Sequence, residues 1–124
     1  MKTLSYTVKA NKFSVNPVKP LLHVGSGKRL STDEIVMLEA KANYTEVSLI
    51  SGSKLTVSTN LGVIEERLVD YENYIRPNRQ FIVNLDFFEK INADYLFVKG
   101  REIKVSRRRK SEVKQQLQVL NQKP

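Results

Sequence analysis

The stretch IVMLEAKANYTEVSLISGSKLTVSTNLGVIEERLVDY, residues 35–71, changes its hydrophobic period once, and that change decides the fold. IVMLEA (35–40) is apolar on both faces and short, which suits a strand buried on both sides. YTEVSLI (44–50) alternates, with Thr45, Val47 and Leu49 on one face and Tyr44, Glu46 and Ser48 on the other. Ser51-Gly52-Ser53 turns the chain into KLTVS (54–58), a second alternating strand. In NLGVIEERLVDY (60–71) the period becomes helical, with Leu61, Ile64, Leu68 and Tyr71 in register and Thr59 or Asn60 placed to cap. Gly62 weakens that helix by about 1 kcal/mol.

Working outward, the same signals continue on both sides. LLHVGSGKRL (21–30) reads as a hairpin turning at Gly25-Ser26-Gly27. Residues 1–20 read as an N-terminal arm, where LSYTVKANKFSV can supply one edge strand that Pro17 and Pro20 end. Toward the C-terminus, YIRPNRQ (74–80) is a turn, because Pro77 fixes its own dihedral and forces Arg76 to be extended. FIVNL (81–85) is a strand, and YLFV (95–98), Lys99-Gly100 and REIKV (101–105) make a final hairpin. VSRRRKSEVKQQLQVL (105–120) then starts a helix, with Ser106 as N-cap and a stripe of Val113, Leu117 and Leu120. The fold class is mainly β, with one short internal helix and a C-terminal helix. The domain spans 21–124 behind the 1–20 arm.

At 124 residues with 40% hydrophobic content, the chain is sized for one globular domain. It has no cysteine and a single histidine, His23, so no thiolate metal site or His-rich cluster can be assembled. No Ser-His-Asp order can be proposed and no catalytic constellation is present, so no enzyme activity, cofactor or small-molecule substrate is expected. No apolar run is long enough for a membrane span, and the N-terminus lacks a signal-peptide core. A cytoplasmic location is therefore the expectation.

Charge is the informative quantity. The net charge is +8, but its distribution is uneven. Residues 1–30 hold six Lys/Arg and no acid, 31–98 are net −5, and 99–110 are net +6. A fairly acidic body with a concentrated basic segment is the footprint of a polyanion binder. Arg107, Arg108, Arg109 and Lys110 also occupy the start of a helix, where the partial positive charge of the unpaired N–H groups disfavours each cation by about 0.3–1 kcal/mol. An external anion would reverse that sign. The cationic tip is thus expected to face outward and to be matched by a nucleotide polymer, not by carboxylates of its own body.

Three polar loops carry mixed cations and amides: 41–45, 76–79 and 106–110. Cations neutralise phosphates, while Asn and Arg can pair bidentately with adenine and guanine edges. The basic segment contains no aromatic residue, which favours duplex DNA over a stacked single strand or RNA.

The runs IVMLEAKANYTEVSLISG, TNLGVIEERL, YIRPNRQFIVNL and GREIKVSRRR resemble, in order and spacing, the LytTR-type DNA-binding domain of bacterial transcription regulators. The resemblance covers roughly residues 21–120. It implies about ten strands in small packed sheets and loops inserted into successive major grooves of double-stranded DNA, with two copies on direct-repeat sites. Carried over, it places Lys41, Asn43, Tyr44 and Thr45 in the first reading loop and Asn60 on a phosphate. Arg76, Asn78 and Arg79 form the middle motif. Arg108 falls on a base edge, with Arg107, Arg109 and Lys110 on backbone or base. The family's middle motif usually has His and Ser where this chain has Asn78 and Gln80, which removes a group able to become cationic.

Structural alternatives stand beside these roles. Tyr44 could pack across its hairpin, Asn43 could supply turn geometry alone, Asn60 could be a plain N-cap, and Arg76 could pair with Glu65, Glu66 or Asp70. Glu39 and Asn84 read as structural. Only about 20–30 residues precede the match, too few for a phosphoacceptor domain, so control by an attached receiver is not expected. The rival functions are a nucleic-acid-coating or RNA-binding β module without sequence preference, and a basic module that meets an acidic protein.

Overall fold

IVMLEA forms the strand its apolar run predicts and becomes the middle of the molecule. In the computed structural model, which describes residues 21–25, 27–92 and 94–121, the chain begins with β1 (Leu21–Gly25), β2 (Lys28–Ser31) and β3 (Ile35–Ala40). It continues through β4 (Thr45–Leu49), β5 (Lys54–Val57), α1 (Leu61–Arg67), β6 (Tyr74–Ile75) and β7 (Phe81–Asn84). It ends with β8 (Phe88–Asn92), β9 (Tyr95–Val98), β10 (Arg101–Lys104) and α2 (Lys110–Asn121). The predicted arm, residues 1–20, lies outside the described residues, as do Ser26 of the first turn and the side chain of Leu120 in the helix stripe.

The ten strands among the described residues make three antiparallel sheets: β1-β2, β5-β4-β3-β7-β6 and β10-β9-β8. The five-stranded sheet is the middle layer. On one face, Ile35, Leu38, Val47, Val57 and Ile82 pack with Leu22 and Val24 of β1 and with Leu61, Ile64 and Leu68. On the other, Val36, Met37 and Val83 pack with Leu96, Val98, Ile103 and Val113. The β1-β2 hairpin and α1 therefore cover one face, and the three-stranded sheet and α2 cover the other. Val36 and Met37 are neighbours on the same side, which strict alternation forbids. The register against β4 shifts between Ile35 and Met37, and this β-bulge lets both residues turn toward the second core.

Four local expectations are corrected. The internal helix stops at Arg67, short of residue 71; Leu68 leaves helical geometry (φ −98°, ψ 5°), and the Tyr71 N–H closes a tight turn onto the Leu68 carbonyl at 2.9 Å. The stripe Leu61, Ile64, Leu68 and Tyr71 still faces the first core. Residues 74–75 open the predicted turn as a short strand, because Tyr74 and Ile75 pair with Asn84 and Val83. FEKIN adds β8 to the final hairpin, giving that sheet a third strand. Lastly, Ser106 stands at the N-cap position but its hydroxyl makes no cap bond. A single 3-10 turn, Arg107–Arg109, intervenes before α2, closed by the Arg109 N–H on the Ser106 carbonyl at 3.0 Å. Such a turn meets the first donor with backbone alone.

Glu39 and Asn84 are structural, as read. Fully buried Asn84 donates to the Ile35 carbonyl at 2.8 Å and accepts from the Asp86 N–H at 2.9 Å. Tyr74 donates its hydroxyl to the Thr32 carbonyl at 2.5 Å, and burial raises its phenol well above the ordinary range.

Candidate nucleic-acid interface

Two of the polar loops meet at one end of the middle sheet because β3 and β7 are neighbours there. The third follows β10 of the other sheet and is fastened to them by hydrogen bonds. The turn 41–44 joins β3 to β4, residues 76–80 join β6 to β7, and 105–109 follow β10. Backbone hydrogen bonds then tie loop to loop. The Ala40 N–H donates to the Gln80 carbonyl at 2.7 Å, and the Ser106 N–H donates to the Pro77 carbonyl at 2.9 Å. Asn60 joins the same end through Thr45, whose hydroxyl donates to the Thr59 carbonyl at 2.7 Å.

The first patch is a groove of about 180 Å³ lined by Lys41, Asn43, Tyr44, Thr45 and Asn60 together with neighbouring backbone. Asn43 and Tyr44 are exposed, Tyr44 by 41%. Lys41 is tethered: its ammonium lies 3.4 Å from the Glu39 carboxylate. That carboxylate is only 6% exposed and is also met by Gln80 at 3.0 Å and Arg101 at 3.4 Å, so its burial is compensated from three directions. The Asn60 side chain accepts from the Val63 N–H at 3.0 Å, which makes it the cap of α1. Its two amide N–H donors are chemically separate from that role. Thr45 is 1% exposed, so it sits inside the fold and acts by holding Thr59 in place.

The second patch is a cleft of about 510 Å³ walled by Arg76, Arg79, Ser106, Arg108 and Arg109. A shallow hollow of about 480 Å³ along Ala40, Asn78, Arg79 and Gln80 borders it toward the first patch. Asn78 is the fastener of this region. Its side-chain oxygen accepts from the N–H groups of Gln80 (2.8 Å) and Phe81 (3.0 Å), while its amide donates to the Lys104 carbonyl at 2.6 Å. With three bonds made internally, Asn78 shapes the loop, and Arg79 beside it is exposed.

The cationic tip divides. Arg107 and Arg108 are exposed, and no ion pair among the described residues engages them. Arg109 and Lys110 do not behave as expected, because carboxylates of the protein's own body meet both. Arg109 lies 3.3 Å from Glu65, and Lys110 pairs with Asp94 at the β8-β9 turn. Arg76 also pairs internally, at 2.7 Å from the same Glu65, which selects one of its three possible partners. Burial pushes the Glu65 carboxyl up, but Arg76 and then Arg109 outweigh it and hold the group below the usual range. The Asp94 carboxyl is lowered by its hydrogen bond and charge contact with Lys110, aided by Lys104 and Arg107.

Sequence reasoning missed Glu65 as a shared partner, Asp94 as the anchor of Lys110, and Asn78 as the link to β10. The signal for Glu65 was present in part, since one turn of α1 offers it toward the extended Arg76. Nothing in the chain marks Asp94 and Lys110 as neighbours before the final sheet is built.

The family model for the LytTr DNA-binding domain matches residues 26–118. A solved structure described as the LytTr DNA-binding domain of a methyl-accepting/DNA response regulator from Bacillus cereus is similar over 79% of this chain and 94% of that one. The identity is 26% and the TM-score 0.64. No curated protein matches the chain. Among the described residues no helix is long and apolar enough to cross a membrane. The match over most of the chain, on a mainly β fold with its polar loops at one end, places this protein in the LytTR family of DNA-binding domains.

Proposed function

We propose that the chain binds double-stranded DNA sequence-specifically, as a bacterial transcription regulator, by presenting the loop end of its middle sheet to the major groove. The observation that carries this reading is that exposed Arg79 and Arg108 line one cleft, with exposed Arg107 adjacent in the chain, within hydrogen-bonded reach of the 41–44 turn. Arg108 is the base reader: a guanidinium fork matches the two acceptors on the guanine edge. Arg79 and Arg107 hold flanking phosphates. Asn43 and Tyr44 touch the second groove contact, Asn60 donates its amide to a phosphate, and Lys41 adds charge beside them. Thr45 and Asn78 act from behind as supports. Arg76 and Arg109 form fixed walls of the cleft, Lys110 is held aside by Asp94, and their charges reach DNA only as part of the local field. Two copies occupy direct repeats.

In-vitro selection from random duplexes tests this directly. The expected result is a recurring sequence, repeated at about one helical turn or a multiple of it, since copies of one protein meet the same face of the duplex at that spacing. Enrichment of no sequence, with random RNA competing as well as duplex, would favour the non-specific coating module. Failure to bind any duplex at low salt would favour a basic surface for an acidic protein.

A further inference from the structure

Two cavities share a wall at Arg76 and Arg109. In front is the arginine cleft, and behind it a hollow of about 420 Å³ between α1 and α2, floored by Leu68, Tyr71, Tyr74 and Ile82. Glu65 stands in that wall with one carboxylate oxygen on each arginine: Oε1 is 2.7 Å from Arg76 Nη1 and Oε2 is 3.3 Å from Arg109 Nη1. Arg76 is held further by donating to the carbonyls of Asn78 (3.3 Å) and Arg79 (2.7 Å), and Arg109 by donating to the Arg76 carbonyl (3.4 Å). The two arginine side chains are 15% and 20% exposed. Of the four arginines lining the cleft, one carboxylate therefore answers two from behind, whereas Arg79 and Arg108 have no such partner among the described residues.

We propose that Glu65 is a specificity-determining positioning residue, which cancels and immobilises Arg76 and Arg109 so that the cleft discriminates between duplexes instead of gripping any backbone. This rests on the DNA-binding reading above. Non-specific affinity follows the number of phosphates a protein neutralises and the counterions that leave with them. A guanidinium already answered by a carboxylate releases fewer ions, while its fixed plane still shapes the space in which Arg108 works. Glu65 thus trades indiscriminate attraction for geometry. An ordinary structural ion pair would need one arginine. Here a single carboxylate is divided between two loops that wall the same cleft.

The test measures binding of the full chain to its selected duplex and to a random duplex of equal length across a salt series. Arg79→Gln should flatten the slope of log affinity against log salt by about 0.9, the loss of one phosphate contact. Arg109→Gln should move that slope less than half as much while still lowering the ratio of selected to random affinity. Glu65→Gln, which keeps the side-chain shape, should steepen the slope by about 1–2 and raise random-duplex affinity more than selected-duplex affinity. Glu65→Asp should return the ratio toward the original value. Equal slope losses for Arg79→Gln and Arg109→Gln would overturn the proposal. So would a Glu65→Gln variant that keeps both slope and ratio and differs only in thermal midpoint. Should the unmodified chain bind neither duplex, the DNA-binding reading itself falls, a result distinct from either.

Discussion

The side-chain amide of Asn78 donates to the main-chain carbonyl of Lys104 at 2.6 Å, joining the β6-β7 loop to the strand that launches the cationic tip. Because its oxygen also serves Gln80 and Phe81, one side chain sets the geometry of two loops. Asn78→Ala leaves three backbone groups without that partner and should destabilise the domain by about 1–3 kcal/mol in urea unfolding. Asn78→Asp keeps the two acceptor bonds and should recover part of this, yet bind duplex more weakly because a negative charge enters beside Arg79. Equal stability of all three proteins would remove Asn78 from its role as fastener.

Arg108 and Arg79 both line the open cleft, but they are given different work. Arg108→Ala should cost about 1–3 kcal/mol in binding to the selected site and relax preference at one base position. Arg79→Ala should weaken selected and random duplexes alike. Equal losses on both duplexes for Arg108→Ala would demote it to a phosphate contact.

Gly25 supports the first patch from a distance. Its φ of +107° is a left-handed value, and a Cβ there would run into the hydroxyl of Thr59, the residue whose carbonyl receives Thr45. Gly25→Ala should therefore lower stability by more than about 1 kcal/mol. Gly27→Ala, also at positive φ (+72°) but with no atom near the added carbon, should cost less. A thermal-unfolding comparison of the two separates packing from backbone strain; equal losses would show that the Thr59 contact is immaterial.

The pH response of stability follows from Glu65. Its folded carboxyl is held below the ordinary value of 4.5, so the unfolded chain takes up this proton first as pH falls. The stabilisation from its arginine pairing is complete above the unfolded value and is lost as pH drops through the folded one. The group is partly exposed, which limits the size of the effect. Chemical denaturation between pH 6 and pH 3 should show an acid limb that is shallower in Glu65→Gln. An identical limb would mean that other carboxylates dominate. These pH values bracket the ordinary carboxylate range.

What was legible in the chain depended on distance along it. The double-sided burial of β3, the helical stripe Leu61–Ile64–Leu68 and the closing hairpin all follow from period alone, and all are present. The bulge at Val36–Met37 does not, because a run that is apolar at every position carries no alternation to break. Thr45 is instructive in another way. Its alternation with Val47 and Leu49 put it on an inward face, whereas the family resemblance put it on DNA; it is buried, as the period required. The pairing of Arg109 with Glu65 spans 44 residues, and that of Lys110 with Asp94 depends on the register of the last sheet, so neither could be read before the layers were assembled. The electrostatic objection to four cations at a helix start was sound, but the chain answers it partly with its own acids.

Those internal pairs also lower the number of cations available to phosphate. Six to eight contacts, with a salt slope of about −5 to −7, would need every cation of the three loops. With Arg76, Arg109 and Lys110 compensated and Lys41 tethered to Glu39, about three or four contacts and a slope near −3 are expected. A slope flatter than about −2 would leave too few phosphate contacts for the exposed arginines to matter.

Amide chemical-shift mapping on titration with the selected duplex tests the central claim most directly, since it asks which end of the middle sheet meets DNA. Shifts should concentrate in residues 41–44, 60, 78–80 and 104–108, with little change on the outer face of the β8-β9-β10 sheet. Shifts centred on that outer face or on α2, with 104–108 unmoved, would contradict it.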